Sequence, residues 1–131
     1  MFSNYLAQLY KTIQRGDARE ESHYPLFENF LYEFGHSIGK TKIQVTTLPK
    51  QTEAGNPDFR VWDGKQHIVG YIEAKKPGEN LDVIENSPQL KRYRKTFPNL
   101  ILTDFYEFRL YRNGEMVDKT FIARPVLAVK G

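Results

Sequence analysis

Two acidic residues and a lysine near the middle of the chain are the residues whose types and spacing could do chemistry. Asp58 follows Pro57, and Glu73 and Lys75 come fifteen and seventeen residues further on. Two converging carboxylates can hold a hard divalent cation such as Mg²⁺, which prefers oxygen ligands. An adjacent ammonium can orient or deprotonate a water molecule and stabilise developing negative charge. These residues predict a site for metal-assisted hydrolysis of phosphodiesters, provided that the fold brings them together.

The segment between the two acids predicts a β-hairpin that would bring them together. Residues 59–62 are β-prone, Asp63-Gly64 is a strong hairpin signal, and residues 67–75 return as a second strand. A hairpin would make Asp58 a cross-strand neighbour of Glu73. Cross-strand carboxylates repel each other unless a cation lies between them, so this pairing favours a metal site.

Side-chain alternation along the second strand predicts which face of the sheet each side chain occupies. Successive side chains of a strand point to opposite faces, so Glu73 and Lys75 would share one face and Ala74 the other. The nearly continuous apolar run 68–72 predicts a strand covered on both faces, with its charges at a cleft. The alternative is an exposed salt bridge between Glu73 and Lys75 that contributes little to stability.

These residues resemble the PD-(D/E)XK nuclease superfamily. The match consists of Pro57-Asp58, Glu73-Ala74-Lys75 and a following Gln89-x-x-x-Tyr93, a second signature of some branches. The resemblance covers roughly the whole chain. It implies an α/β, restriction-endonuclease-like αβββαβ core, with a mixed central sheet flanked by helices. It also implies DNA cleavage with Mg²⁺ as cofactor, for which Mn²⁺ would substitute.

The resemblance assigns roles to particular residues. Asp58, Glu73 and Lys75 would be catalytic. The first two would bind the metal with the backbone carbonyl of Ala74, and Lys75 would position or activate the attacking water. In several branches of the superfamily, a glutamate on the helix before the first strand approaches the metal. This makes Glu28 a further candidate ligand, with Glu21 as the second choice. An ordinary exposed glutamate is the alternative for Glu28.

The predicted helix that begins at Ser87-Pro88 would support the site. Gln89 and Tyr93 are four residues apart and therefore share a helix face, where an amide and a phenol could hydrogen-bond a phosphate, a metal-bound water or Lys75. The alternative is a helix edge packed on the sheet. A basic cluster surrounds these residues and would hold the DNA backbone, although it could also be a solvated surface. Its members are Lys76, Lys91, Arg92, Arg94 and Lys95.

The remaining pattern predicts the supporting elements. Apolar spacing indicates helices over residues 3–15 and 22–38, and alternation indicates a strand over residues 42–48. A polar loop, residues 49–56, would border the cleft. Residues 81–87 are ambiguous. Short strands are predicted over residues 100–103 and 106–111, and Asn113-Gly114 would turn the chain into a return strand over residues 116–123.

Composition excludes several other classes of protein. The 131 residues suffice for one domain, predicted to span residues 1–131, and the absence of cysteine excludes disulfides and thiolate metal sites. His23, His36 and His67 lack the spacing of zinc ligands. No apolar run approaches the ~20 residues of a membrane span, and the first residues lack the features of a signal peptide. The net charge of +3 permits a nucleic-acid partner.

A looser resemblance concerns residues 102–114, which are similar to the end of the nuclease domain in single-polypeptide restriction–modification enzymes of Type ISP or Type I-like organisation. It implies the N-terminal piece of a larger cytoplasmic bacterial DNA-defence enzyme that cleaves duplex DNA, with contacts to helicase and methyltransferase domains. The apolar run 126–129 agrees with a chain that continues. Double-strand cleavage would call for dimerisation or pairing of two enzymes. A catalytically silent nuclease-fold module for DNA binding or dimerisation is the alternative.

Overall fold

A six-stranded mixed sheet organises residues 2–122, the part of the chain that the computed structural model describes. The strands are β1 (Gln44–Thr47), β2 (Phe59–Trp62), β3 (Ile68–Ala74), β4 (Asn99–Thr103), β5 (Glu107–Arg112) and β6 (Glu115–Phe121). They lie side by side in chain order. β3 and β4 run parallel, whereas each of the other described pairs is antiparallel.

Helices cover both faces of this sheet. They are α1 (Phe2–Gln14), α2 (Tyr24–Ser37), α3 (Leu81–Ile84) and α4 (Pro88–Thr96), with a short 3-10 helix over Glu20–His23. One core, which includes Leu9, Phe27 and Phe59, packs α1 and α2 against one face. A second core, which includes Leu90 and Leu102, packs α3 and α4 against the other. The predicted α/β class, with a mixed sheet flanked by helices, is confirmed.

Local sequence signals explain where several elements begin and turn. The Ser87 side chain accepts a hydrogen bond from the Leu90 backbone N–H at 3.2 Å, so Ser87 caps α4, and Pro88 begins it as predicted. Asn113 and Gly114 both have positive φ, 51° and 87°, as a two-residue hairpin requires. Gly64, at φ 85°, serves the β2–β3 connection, where a Cβ would lie 1.9 Å from the Lys42 carbonyl oxygen.

The prediction that β3 is covered on both faces is wrong for its first half. Ile68 and Val69 are 44% and 48% exposed, and burial is complete only from Ile72 to Ala74. The reason is that the pairing of β3 with β4 begins at Tyr71, so Ile68 and Val69 have a strand neighbour on one side alone. The charged end of β3 is therefore its buried end.

Smaller differences concern element boundaries. The second helix begins at Tyr24, because Glu20–His23 form a separate 3-10 turn before it. The ambiguous segment after residue 80 contains α3, capped by Asn80, whose side chain accepts from the Asp82 N–H at 3.0 Å. Ala123, predicted to end the return strand, and the apolar run 126–129 lie outside the described residues. Between residues 2 and 122, none of the helices has the length and apolarity that a bilayer crossing demands.

Candidate active site

Asp58 and Glu73 meet at the buried end of the β2–β3 hairpin. Phe59 pairs with Ile72, so Asp58, immediately before β2, lies opposite Glu73. Both side chains are buried, at 9% and 4% exposure. Asp58 Oδ2 accepts a hydrogen bond from the Ala74 N–H at 2.8 Å, which fixes its carboxylate against β3. The cross-strand pairing predicted for the two acids is present.

Electrostatics makes this pair unstable as two bare anions. Burial, and then the neighbouring charge of Asp58, raises the pKa of Glu73 to about 8, although Lys75 acts in the opposite direction. Glu73 Oε1 is buried and has no hydrogen-bond partner. A buried acceptor without a donor costs free energy, and a divalent cation would satisfy this oxygen and neutralise both charges. The donor set therefore fits a hard cation.

Lys75 connects the acid pair to α4. Its Nζ lies 3.1 Å from Glu73 Oε2 and donates to Gln89 Oε1 at 3.3 Å. Gln89 Nε2 in turn donates to the Tyr93 hydroxyl at 3.4 Å. Burial raises the pKa of Tyr93, and so do the charges of Glu73 and Asp58. The structure thus brings five predicted residues into one connected group.

A loop between β1 and β2 closes over this group. The Leu48 N–H donates to the Asp58 carbonyl at 2.7 Å. Further along, Gly55 adopts φ 131°, and a Cβ there would lie 3.1 Å from the Tyr93 hydroxyl. Arg92 Nε donates to the Ala54 carbonyl at 3.2 Å, which ties the loop to α4. The predicted position of this loop at the edge of the site is therefore observed.

Glu20 joins the site, although the sequence analysis did not single it out. The Tyr24 hydroxyl donates to Glu20 Oε1 at 2.9 Å. Burial raises the pKa of Tyr24, and so do its interactions with Asp58. Burial likewise raises the pKa of Glu20, with a further contribution from Asp58. The available signal was the spacing of four between Glu20 and Tyr24, which places both on one face only if helical structure begins before Ser22.

Glu28, the further candidate ligand, has a different neighbour. Its Oε2 accepts from the Thr47 hydroxyl at 3.1 Å, at the end of β1. In the described part of the chain, no hydrogen bond or ion pair joins Glu28 to Asp58 or Glu73. Glu21 is exposed. The structure therefore brings Glu20, rather than either of these, to the acid pair.

The candidate site offers few side chains that could bind a metal ion. Within residues 2–122, no group of three or more histidine, cysteine, aspartate or glutamate side chains is arranged to hold a metal ion. Mg²⁺ is commonly held by one or two carboxylates together with substrate phosphates and water, which is compatible with Asp58 and Glu73. In a strand, the N–H and C=O groups of one residue point toward the same neighbouring strand. Because the Ala74 N–H donates to Asp58, the Ala74 carbonyl also points toward the Asp58 side.

The predicted DNA-binding cations fall into two groups. Lys76, Lys91, Arg92 and Lys95 are exposed. Arg94 is half-buried, and its guanidinium donates to the carbonyls of Gly114 and Glu85 and lies 4.8 Å from the centre of the Tyr111 ring. Its donors are used to join α4 to the β5–β6 turn and to α3, so the exposed four are the cations available to a ligand.

Comparison with known proteins shows a likeness to a solved structure. No protein-family model matches the chain, and no curated protein matches it. Among solved structures, the chain is similar to a chain in the cryo-EM structure of a DrdV–DNA complex, with a TM-score of 0.72 and 24% sequence identity. The likeness covers 97% of this chain and 13% of that chain. Together with the sheet order and flanking helices, it defines a restriction-endonuclease-like fold.

Proposed function

We propose that this chain is a Mg²⁺-dependent DNA endonuclease domain that hydrolyses phosphodiester bonds. The observation that carries the proposal is the buried Asp58–Glu73 pair, with an unpartnered carboxylate oxygen on Glu73 and the Lys75 ammonium 3.1 Å from the other. Most buried polar atoms in folded proteins have a hydrogen-bond partner, so a buried oxygen without one calls for an explanation. A site that acquires a cation with its substrate accounts for that oxygen.

The proposed division of labour follows from the contacts of each residue. Asp58, Glu73 and the Ala74 carbonyl would hold Mg²⁺, which when bound polarises the scissile phosphate and lowers the pKa of a water molecule. Lys75 would orient the attacking water and stabilise charge on the phosphate. Gln89 holds the Lys75 ammonium in place through the hydrogen bond at 3.3 Å.

DNA is proposed as the substrate for two reasons. A solved structure similar to this chain is a DNA complex. Four exposed cations also follow the acid pair in the chain: Lys76 just after β3, and Lys91, Arg92 and Lys95 on α4. Contacts from such cations to the phosphate backbone give affinity and position without sequence choice. A polyanionic backbone also suits a buried acidic site that is rimmed by positive charge.

The wider context is part of the same proposal. The likeness covers 13% of the similar chain, which agrees with a nuclease domain that works as the cleavage module of a longer bacterial restriction–modification enzyme in the cytoplasm. In such a protein, the nuclease domain would contact helicase and methyltransferase domains of the same chain. Cutting of both strands would use two copies of the domain, through dimerisation or pairing of two enzymes.

The test is cleavage of a supercoiled plasmid with Mg²⁺ or Mn²⁺, together with calorimetric titration of Mn²⁺. We expect Asp58→Asn and Lys75→Ala to abolish cleavage, with Asp58→Asn also losing Mn²⁺ binding and both variants still unfolding in one cooperative transition. Asp17→Asn is the matched control, because Asp17 is exposed. Cleavage by either site variant at the parent's rate would reject the assignment. A parent that binds DNA without binding metal or cutting would instead support the silent-module alternative.

A further inference from the structure

The sheet face that carries the acid pair continues along β2 and β1. Because side chains alternate along a strand, Asp58, Arg60 and Trp62 point to the same side of the sheet. β1 extends this face, since Thr46 pairs with Arg60 and Gln44 pairs with Trp62. We call the four residues Gln44, Thr46, Arg60 and Trp62 the β1–β2 face.

This face is not covered by the core that covers its neighbours. The second hydrophobic core consists of residues from α3, α4, β3, β4 and β5 together with Ala54, and among the described residues none comes from β1 or β2. Gln44 is exposed, and Thr46, Arg60 and Trp62 are half-buried. A half-open surface rich in polar and aromatic groups therefore adjoins the acid pair.

Arg60 has a charge without a counterpart on this surface. Its guanidinium lies 4.6 Å from the centre of the Trp62 ring. Its Nε is buried and has no hydrogen-bond partner, and none of the ion pairs formed within residues 2–122 includes it. A buried donor left unsatisfied costs free energy, and an external acceptor that reached the guanidinium would reduce that cost.

The geometry of the stack suits one kind of acceptor. A guanidinium positioned over an aromatic ring has less freedom to move, and its planar fork matches the oxygens of a phosphate. Two residues along a strand span about 7 Å, and one DNA strand advances about 3.4 Å per nucleotide along the helix axis. A phosphate bound by Arg60 would therefore lie within about two nucleotides of one bound at Asp58.

We propose that the β1–β2 face is a second DNA contact surface, on which Arg60, supported by Trp62, binds a backbone phosphate beside the one that is cleaved. This inference rests on the proposed nuclease function and adds to it the path of the DNA strand, from the acid pair over β2. The competing explanation is a cation–π contact between Arg60 and Trp62 that only stabilises the sheet.

The first test is the salt dependence of binding to a labelled duplex, measured by fluorescence anisotropy in the Lys75→Ala background so that the duplex stays intact. Each phosphate contact contributes about 0.9 to the slope of log K against log salt. Arg60→Gln should therefore reduce the slope by about 0.9, which corresponds to roughly eightfold weaker binding at 0.1 M relative to 1 M salt. Arg112→Gln is the matched control, because Arg112 is exposed and lines the groove beneath Phe34 on the opposite face. It should leave the slope unchanged.

The second test uses Trp62 as a reporter, since the chain contains one tryptophan. Saturating duplex should protect Trp62 fluorescence from quenching by acrylamide, and the protection should be lost in Arg60→Gln at equal occupancy. If Arg60→Gln lowers the unfolding midpoint but leaves both the salt slope and the protection as in the parent, the contact between Arg60 and Trp62 is structural. The inference is then overturned. Cleavage by the parent would still support the proposed function. A parent that neither binds the duplex nor cuts plasmid overturns both.

Discussion

Replacement of Glu73 by glutamine should stabilise the metal-free protein while it removes the capacity to hold a divalent ion. The folded carboxyl, with its pKa raised from 4.5 to about 8, keeps a proton that the unfolded chain has already released. In that window the unfolded state binds fewer protons than the folded state, so stability falls as the pH rises. The loss is about 1.4 kcal/mol per pH unit, or roughly 3 kcal/mol between pH 5 and pH 7. A glutamine does not titrate, and its amide can donate to Asp58.

The measurement is urea unfolding in EDTA at pH 5, 7 and 8.5, followed by the fluorescence of Trp62. We expect the parent to lose about 3 kcal/mol relative to Glu73→Gln between pH 5 and pH 7. Glu115→Gln, at an exposed position, should behave as the parent. Mn²⁺ at a hundred times its dissociation constant should stabilise the parent by about 2.7 kcal/mol and leave Glu73→Gln unchanged. Parallel pH profiles for parent and Glu73→Gln would refute the desolvated acid pair.

Two other substitutions test the surroundings of the site. Glu20→Gln should weaken Mn²⁺ binding in a calorimetric titration more than Glu28→Gln does, because the charge of Glu20 acts on Asp58 whereas Glu28 bonds to a β1 hydroxyl; equal effects would reject a role for Glu20. Arg109→Met should lower the free energy of unfolding by about 3–5 kcal/mol, because it leaves the buried Glu107 carboxylate without its cation; a loss below about 1 kcal/mol would contradict that reason.

Local patterns predicted the elements that position the site. The turn pairs Asp63-Gly64 and Asn113-Gly114 require backbone conformations that few other residues adopt, so they marked both hairpins. The alternation of β3 put Glu73 and Lys75 on one face, and Ser87-Pro88 fixed the start of α4 and thereby the face shared by Gln89 and Tyr93. Each of these features depends on residues close together in the chain.

The errors arose where distant segments decide burial. The apolar sequence of β3 gave no sign that Ile68 and Val69 lie beyond the start of β4 and remain exposed. The sequence predicted Arg94 to be a DNA-binding cation of a basic helix. In the structure, its guanidinium donates instead to the carbonyls of Gly114 and Glu85. Glu20 was missed because its approach to Asp58 depends on how the turn before α2 lies relative to the start of β2.

The sequence by itself determined which reactive groups the site contains. These are two carboxylates and an amine, on a hairpin whose register makes the acids neighbours. Strand periodicity and turn residues are local properties, so they can be read without knowledge of the fold. Only the tertiary structure decided that the acid pair is dehydrated, that one oxygen of Glu73 lacks a partner, and which cations still face solvent. Desolvation depends on every atom packed around a group, and those atoms come from segments that are far apart in the chain.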